Sequence, residues 1–270
     1  MSELDSNYIL QVGEQGAPRL DVLNAVHGKY SQQFLDHVGL HNSMVAMEVG
    51  CGTGQMALWL AQQASLGKII ALDSSAEQIA VARQKASTAG LKNMDFHAVP
   101  IEQFSLRPES VDLIYCRYLL LHLQDPRSAL AQFWRWLKPG GVVVCEEPTI
   151  STGFCYPHSE AYAHSRKLLL RLSQLRGLDF EIGLKLQGIL SSLLFVDVDL
   201  QFVQPILKDQ YQRQLLSMLV QECADQYINH QLSTEQELQR LISELNELVA
   251  DPEFVIGFPR TTQIKAYKPL

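Results

Sequence analysis

Three glycines at alternate positions form the feature of this sequence with the clearest chemical meaning. They are Gly50, Gly52 and Gly54, in the run MEVGCGTGQ, and Glu48 stands just before them. Glycine lets the main chain turn tightly and approach a ligand closely, and N–H groups at the start of a following helix can face a carboxylate. A nicotinamide-binding loop also relies on glycines for close approach of the main chain, but with GxGxxG spacing. The GxGxG spacing therefore predicts a cofactor-binding loop.

A second residue with suitable chemistry is Asp73, which follows the glycine loop by about twenty residues at the end of an apolar run. A carboxylate at this point of an α/β fold can accept hydrogen bonds from both hydroxyls of a ribose. Such bonds to a charged acceptor are worth about 1.5–3 kcal/mol each. The alternative is a solvated aspartate at the end of a strand, but the spacing from the loop favours the binding role.

A scaffold must position these residues. From Met44 to Glu147, short runs of β-forming residues alternate with stretches of helical periodicity, which predicts βαβ units and a parallel sheet. Helices are predicted from Gly54, Ala76 and Ser128, and Asp125-Pro126 is typical of a helix start. The predicted strands are Val45–Val49, Lys68–Leu72, Met94–Val99, Val111–Cys116 and Gly141–Glu146.

The flanking segments have mainly helical periodicity. Before the scaffold, Ala17–Val38 predicts a covering helix. After Pro148, the final stretch Phe254–Tyr267 alternates and predicts an antiparallel edge strand, broken at Gly257 or Pro259. Between them the pattern predicts a strand over Phe195–Val203 and helices over Ser159–Leu175, Gly183–Leu193, Gln210–Ile228 and Thr234–Val249.

Composition narrows the classes of function. The chain has 270 residues, 47% of them hydrophobic, and a formal net charge of -7 without any run of Lys or Arg. This acidic balance disfavours nucleic acid as a partner, and the apolar runs are too short and too often interrupted for stable membrane insertion. The start of the chain lacks the pattern of a secretory signal, so we expect a cytoplasmic protein. Its five scattered cysteines predict buried free thiols and no metal site.

Four runs of the sequence, taken in order, resemble the motifs of class I S-adenosylmethionine-dependent methyltransferases, especially the type found in ubiquinone and menaquinone biosynthesis. The resemblance is strong over about Met44 to Pro148 and weaker outside it. The four runs are MEVGCGTGQ, IIALDSSAEQIAVAR, VDLIYCRYLLLHLQDP and LKPGGVVVCEEP.

The resemblance implies S-adenosylmethionine as the cofactor and assigns places around it. Asp73 would hold the ribose with Ser74 beside it, and Cys116 and Arg117 would lie near the reacting methyl group. The methionine end would be lined by Glu48, Gly50, Cys51, Gly52 and Gly54. The family often has an aspartate after the third strand that binds adenine, whereas this chain has Val99-Pro100-Ile101-Glu102. We therefore expect Ile101 to recognise adenine through its apolar side chain and its main-chain N–H.

Methyl transfer from a sulfonium is a displacement at an activated carbon, so alignment and exclusion of water can suffice. A catalytic base is not compulsory. If one exists, the candidates near the strand ends are His122, Tyr156 and His158, together with Glu147 and Tyr162, and Arg117 could pair with an acidic acceptor. Each has a plainer alternative, because buried histidines often only pack and aromatic residues often only cover a pocket.

The combined expectation is an α/β, Rossmann-like fold with a seven-stranded, mostly parallel sheet, flanking helices and a helical lid. Residues 1–43 would form an N-terminal cover, residues 44–148 the cofactor-binding core, and residues 149–270 the lid insertions and last strands of the same domain. The chain would act as a monomer or homodimer on a small or lipophilic organic acceptor. The alternatives are a non-catalytic S-adenosylmethionine-binding sensor or scaffold and, less favoured by the loop spacing, a nicotinamide-dependent oxidoreductase.

Overall fold

A computed structural model describes residues 9–270. In this part of the chain the strands follow the predicted order, and the first of them, β1, coincides with the predicted range. The strands are β1 (Val45–Val49), β2 (Lys68–Asp73), β3 (Met94–Ala98), β4 (Val111–Arg117), β5 (Leu137–Thr149), β6 (Phe154–Tyr156), β7 (Val196–Val203), β8 (Val255–Gly257) and β9 (Arg260–Tyr267).

The helices of the described residues also follow the predicted pattern, with two differences. The helix predicted over Gly183–Leu193 is shorter, because a 3₁₀ turn (Ile182–Leu184) precedes the α-helix Leu186–Ser192. The stretch predicted as one helix over Gln210–Ile228 is divided into three short helices at Gln214 and Cys223. Each of these two residues donates its N–H to the preceding helix and accepts an N–H from the following one. The helices are α1 (Gly13–Asp36), α2 (Gln55–Gln63), α3 (Ala76–Thr88), α4 (Pro126–Trp136), α5 (Glu160–Leu175), α6 (Leu186–Ser192), α7 (Gln210–Arg213), α8 (Leu215–Glu222), α9 (Ala224–Asn229) and α10 (Glu235–Ala250).

Seven strands form one sheet in the order β3-β2-β1-β4-β5-β9-β7. The pairs among β1 to β5 are parallel, and β9 pairs antiparallel with both β5 and β7. Alternate residues of the central strands face two apolar clusters, so that Ala46 contributes to one cluster and Met47 to the other. The predicted seven-stranded, mostly parallel α/β sheet is confirmed.

The order of the strands creates one favoured place for a ligand. The chain builds β1, β2 and β3 outward in one direction and then returns to place β4 on the other side of β1. The loops after β1 and β4 therefore leave the sheet in opposite directions and open a crevice at the carboxyl ends of the strands. This crevice is where the glycine loop lies.

Local signals predicted the helix starts well. The Asp125 side chain accepts a hydrogen bond from the Ser128 N–H at 2.9 Å, and Pro126 is the first residue of α4. Ser75 caps α3 in the same manner, through the Gln78 N–H at 3.2 Å. Both caps satisfy an N–H that has no partner within the helix, and they fix where the helices begin beside the crevice.

The prediction for the end of the chain is partly wrong. The break in the alternating stretch is present, because β8 ends at Gly257 and β9 begins at Arg260. However, β9 is not the edge of the sheet, since β7 pairs along its outer side. β8 belongs to a separate two-stranded sheet with β6, a strand that the sequence did not predict. The buried Thr262 and Gln263 of β9 show why the pattern misled: polar residues there mark an internal strand that hydrogen-bonds within the fold.

Two features are absent from residues 9–270. None of the helices in this range combines the length and apolar character needed to cross a membrane. The same range contains no group of three or more His, Cys, Asp and Glu side chains placed to hold a metal ion.

Candidate functional site

The glycine loop between β1 and α2 has a backbone that only glycine adopts without strain. Gly50 and Gly52 have φ angles of 73° and 52°, in the region that L-residues other than glycine rarely occupy. A Cβ atom at Gly50 would lie 2.9 Å from Cδ1 of Leu119. The loop is therefore bare main chain where it faces the crevice, and Leu119 packs directly against it.

Hydrogen bonds within the protein use the N–H groups of this loop. Gly50 and Cys51 donate to the Leu72 carbonyl at 2.8 and 3.0 Å. Gly52 donates to Oδ2 of Asp73 at 2.8 Å. These bonds hold the loop against the end of β2, so the loop offers a shaped surface rather than a row of free donors.

Asp73 lies at the edge of the crevice, at the end of β2. Its Oδ2 accepts from Gly52 and its Oδ1 accepts from the Ser75 N–H at 2.9 Å. Burial raises the pKa of Asp73, and the main-chain N–H groups of Ser75, Gly52 and Ser74 oppose that rise. The carboxylate thus joins the glycine loop to the start of α3, and each oxygen has a second lone pair available to a ligand.

Glu48 is the buried acid of the crevice, with 4% of its surface exposed. Its Oε2 atom has no hydrogen-bond partner among the described residues. Burial raises the pKa of Glu48 to about 8, while the nearby Arg117 and the Ala57 N–H act in the opposite direction. An acid in this state is poised to ionise when a cation arrives beside it.

The crevice opens into a cavity of about 790 Å³. Its first half is formed by loops after β1, β2, β3 and β4, and its second half by α1, α5 and α8 together with Phe180 and Phe258. Eight of the ten predicted cofactor-binding residues line it, namely Glu48, Gly50, Cys51, Gly52, Asp73, Ser74, Ile101 and Arg117. The structure therefore brings most of the predicted site together.

The two remaining predicted residues do not line the cavity. Cys116 is fully buried within β4, with its side chain in the apolar core beside Cys145. Gly54 lies behind the loop, where a Cβ would meet Ala82 and Leu58 at 2.9 Å. Alternation along β4 turns Cys116 away while its neighbour Arg117 faces the crevice, and Gly54 serves the close packing of α2 on α3.

Arg117 is buried at the end of β4 and is held by α1. Its Nη1 donates to Ser31 Oγ at 2.9 Å and its Nη2 donates to Asn24 Oδ1 at 3.0 Å. Ser31 in turn donates to Oε2 of Glu146 at 3.0 Å. This network fixes the guanidinium near Glu48, so Arg117 acts on the charge of the crevice and is already occupied by protein partners.

His122 lines the cavity from the 3₁₀ turn after β4. Its ring meets Phe180 edge-on, with ring centroids 5.5 Å apart. Burial, and secondarily the charge of Arg19, lower the pKa of His122 to about 3. The ring is therefore neutral at physiological pH and is a weak base.

Tyr156 and His158 lie away from the cavity, so their predicted place beside the reacting group is wrong. Tyr156 belongs to β6, and pairing with β8 leaves its side chain 73% exposed. His158 is also exposed and pairs with Glu160 at 3.0 Å. Both follow β5 closely in sequence, but the chain turns outward after β5 and carries them to the surface.

Two other candidates have structural roles. Glu147 accepts from the Leu119 and Leu120 N–H groups at 2.9 and 2.7 Å and so holds the 3₁₀ turn that carries His122. Tyr162 donates to the Gly257 carbonyl at 3.3 Å. Neither side chain lines the cavity.

Sequence reasoning missed several residues of the cavity wall. Arg19 on α1 forms a buried ion pair with Glu222, at 2.7 Å, and Tyr118 has a φ of 55° directly after β4. Arg166 on α5 also lines the cavity. Helical spacing was the available signal, because Arg166 stands three residues before Leu169 and therefore on the same inward side of α5.

Comparison with known proteins identifies the core. Residues 47–145 match the family described as methyltransferase domain. Trans-aconitate 2-methyltransferase of Deinococcus radiodurans is 36% identical over 102 residues, covering 38% of this chain and 37% of that protein. Phosphoethanolamine N-methyltransferase 3 of Arabidopsis thaliana is 29% identical over 123 residues, covering 44% of this chain and 24% of that protein. The chain thus spans well under half the length of these curated relatives.

The fold is shared over a longer range than the sequence. The crystal structure of the YcgJ protein from Bacillus subtilis has a TM-score of 0.61 at 17% identity, and the alignment covers 90% of this chain and 99% of that one. The match of residues 47–145 includes the glycine loop, Asp73 and Arg117. Residues 47–145 of this chain therefore match a methyltransferase domain, and the chain shares its fold with the YcgJ protein over most of its length.

Proposed function

We propose that this protein binds S-adenosylmethionine in the cavity and transfers its methyl group to a small organic acceptor. One observation carries the proposal: bare main chain at Gly50 and Gly52 and the Asp73 carboxylate meet at the carboxyl ends of β1 and β2. This is where a nucleotide-containing ligand binds in an open α/β sheet. The curated relatives have names that state methyl transfer to trans-aconitate and to phosphoethanolamine, which supports a small-molecule acceptor.

The residues present suit the chemistry of the cofactor. Glu48 has a buried oxygen without a partner, which suits the ammonium group of the methionine end. Asp73 keeps lone pairs for the ribose hydroxyls. Ile101 is buried at the cavity wall and suits an adenine face. Pro100 has no N–H and no polar side chain, so adenine recognition falls to Ile101 and its neighbours.

When bound, the cofactor supplies a methyl group on a positively charged sulfur. The chain orients the reactants and excludes water from them. Leu119 packs on the glycine loop, and α1, α5 and α8 close the far side of the cavity with apolar side chains. Holding two reactants in line can account for about 7–11 kcal/mol of a barrier. Since His122 is neutral and a weak base, we propose that orientation, and not proton removal by His122, provides the rate enhancement.

Isothermal titration tests the first step. We expect S-adenosylmethionine and S-adenosylhomocysteine to bind with one site per chain, and NADH not to bind. Tight binding of NADH alone would replace the proposal with the oxidoreductase alternative.

A labelling experiment tests the second step. The protein is incubated with methyl-labelled S-adenosylmethionine and a small-molecule extract, and Asp73→Asn is the matched control. We expect label in a small molecule with the wild-type protein only. Cofactor binding without transfer to any small molecule or macromolecule would instead support the sensor or scaffold alternative.

A further inference from the structure

Arg166 differs from the other two arginines of the cavity. Arg19 pairs with the Glu222 carboxylate, and Arg117 donates to Ser31 and Asn24. The Nε and Nη1 atoms of Arg166 are buried, yet they have no hydrogen-bond partner within residues 9–270. A buried guanidinium donor left unpaired is costly, so this arrangement indicates a partner from beyond the described residues.

The surroundings of Arg166 do not neutralise its charge. Its Cζ lies 5.7 Å from the centroid of the Tyr162 ring, which adds a cation–π contact but no opposite charge. Arg166 also forms part of a surface groove of about 760 Å³, which runs along α5 outside the cavity. Lys167 and Arg171 line this groove, and its described lining contains no Asp or Glu. Arg166 thus lies where the cavity meets a groove whose described lining is basic.

Apart from Arg166, the neutral ring of His122 and the paired Arg19, the described wall at this end of the cavity is apolar. Its walls come from the turn after β4, the end of β5 and the helices α5 and α8. The apolar side chains that contribute are Leu121, Ile150, Leu169, Phe180, Leu215 and Leu219. A ligand that fits here has an apolar body, and its polar part must lie where the guanidinium is.

We propose that the methyl acceptor is an apolar molecule with one anionic group, a carboxylate or a phosphate, and that Arg166 binds this group. The inference rests on the proposed function and names the class of acceptor. A guanidinium matches the geometry of both anions, because its N–H donors form parallel bonds to two oxygens. The basic groove outside favours entry of an anion over that of a neutral or cationic molecule.

Calorimetry with three matched probes tests the inference. Octanoate, octyl phosphate and octan-1-ol, each below its micelle concentration, are titrated into the full-length protein with and without saturating S-adenosylhomocysteine. The proteins are wild type, Arg166→Gln, and Arg171→Gln as the control, since Arg171 is an exposed arginine of the same helix that lines only the groove. Thermal melts verify that all three are folded.

We expect at least one anionic probe to bind the wild-type protein more tightly than the alcohol. Arg166→Gln should weaken that binding at least about tenfold, because hydrogen bonds to a charged partner are lost. Arg171→Gln should stay within about threefold of wild type, because surface charges are screened. The affinity for S-adenosylhomocysteine should be equal in the three proteins. The tighter anion identifies whether the group is a carboxylate or a phosphate.

Three results would overturn the inference: the alcohol binds as tightly as both anions, Arg166→Gln binds the anions as wild type does, or neither anion binds wild type. The proposed function fails in a different way, through absence of S-adenosylhomocysteine binding in wild type. Because the probes are also titrated without that ligand, an anion site at Arg166 would still be detected in that case.

Discussion

Glu48 allows a quantitative test of how the cavity receives a cation. With its pKa raised to about 8 by burial, about nine-tenths of Glu48 is protonated at pH 7 in the unliganded protein. An ammonium group at hydrogen-bond distance would lower that pKa by roughly 1–3 units. Binding at pH 7 should therefore release about 0.4–0.9 of a proton from this side chain. Glu48→Gln cannot release it.

The affinities follow from the same numbers. Ionising Glu48 at pH 7 costs about 1.4 kcal/mol, and a charge-assisted hydrogen bond returns about 1.5–3 kcal/mol. Glu48→Gln should thus weaken S-adenosylhomocysteine binding by no more than about fifteenfold at pH 7, by almost nothing at pH 6, and by about ten- to hundredfold at pH 8.5. The test of Glu48 is therefore how the loss of affinity changes between pH 6 and pH 8.5, not its size at a single pH.

The contribution of Glu48 to ligand affinity should grow as pH rises, whereas its contribution to the free energy of unfolding should fall. Because the folded pKa of Glu48 lies above the ordinary value of 4.5, the folded state binds the extra proton, and the free energy of unfolding falls as pH rises from about 4.5 to about 8. Glu48→Gln removes up to about 1.4 kcal/mol per pH unit of this slope. Urea denaturation at pH 6 and pH 8.5 measures the difference, and the variant should be relatively more stable at the higher pH.

Calorimetry in two buffers of different ionisation enthalpy counts the protons. The matched control is Glu102→Gln, which removes an exposed carboxylate from the same cavity and should release as many protons as wild type. The amino group of the ligand titrates equally in all proteins and cancels in the comparison. Equal proton counts for wild type and Glu48→Gln would refute the assignment of Glu48 to the ammonium group.

Three further predictions concern the loop, its aspartate and the histidine. Asp73→Asn should weaken S-adenosylhomocysteine binding more than about tenfold in calorimetry, since an amide nitrogen would face one of the N–H donors of Gly52 or Ser75; unchanged affinity would exclude Asp73 from the site. Gly50→Ala should lower the free energy of unfolding in urea by at least about 1–2 kcal/mol, because φ is positive there and the new methyl group would crowd a leucine side chain; wild-type stability would contradict this. The ring resonances of His122 should not shift in NMR spectra between pH 5 and pH 8, since its pKa is held at about 3; a titration in that range would restore His122 as a candidate base.

The cofactor half of the cavity could be predicted from the sequence because its signals are local. The range Val45–Val49 was correct as a strand, since a strand buried on both faces is a near-continuous apolar run, here interrupted only by Glu48. The glycine loop and Asp73 directly follow predicted strands, and the carboxyl ends of parallel strands meet at one edge of the sheet. No contact between distant segments had to be known.

The prediction failed where pairing is long-range. Tyr156 and His158 were placed near the site because they follow β5, but β6 pairs with β8, about a hundred residues later in the chain. That pairing decides the direction of the side chains, and no local pattern encodes it. Helical spacing places Arg166 on the same side of α5 as Leu169, but only the approach of α5 to the sheet shows that this side faces the cavity.

The helix α1 connects the two halves of the cavity. Leu20 lies against the glycine loop, with its Cδ1 3.2 Å from where a Cβ of Gly52 would be. The preceding residue, Arg19, forms the buried ion pair with Glu222 of α8, at 2.7 Å. A buried pair of this kind tolerates little displacement, because separating the charges leaves each of them desolvated. We therefore expect any shift of α1 at the glycine loop to move the α8 wall with it. We expect the loop side of the cavity and its α8 side to be coupled through Arg19 and Leu20, adjacent residues of one helix.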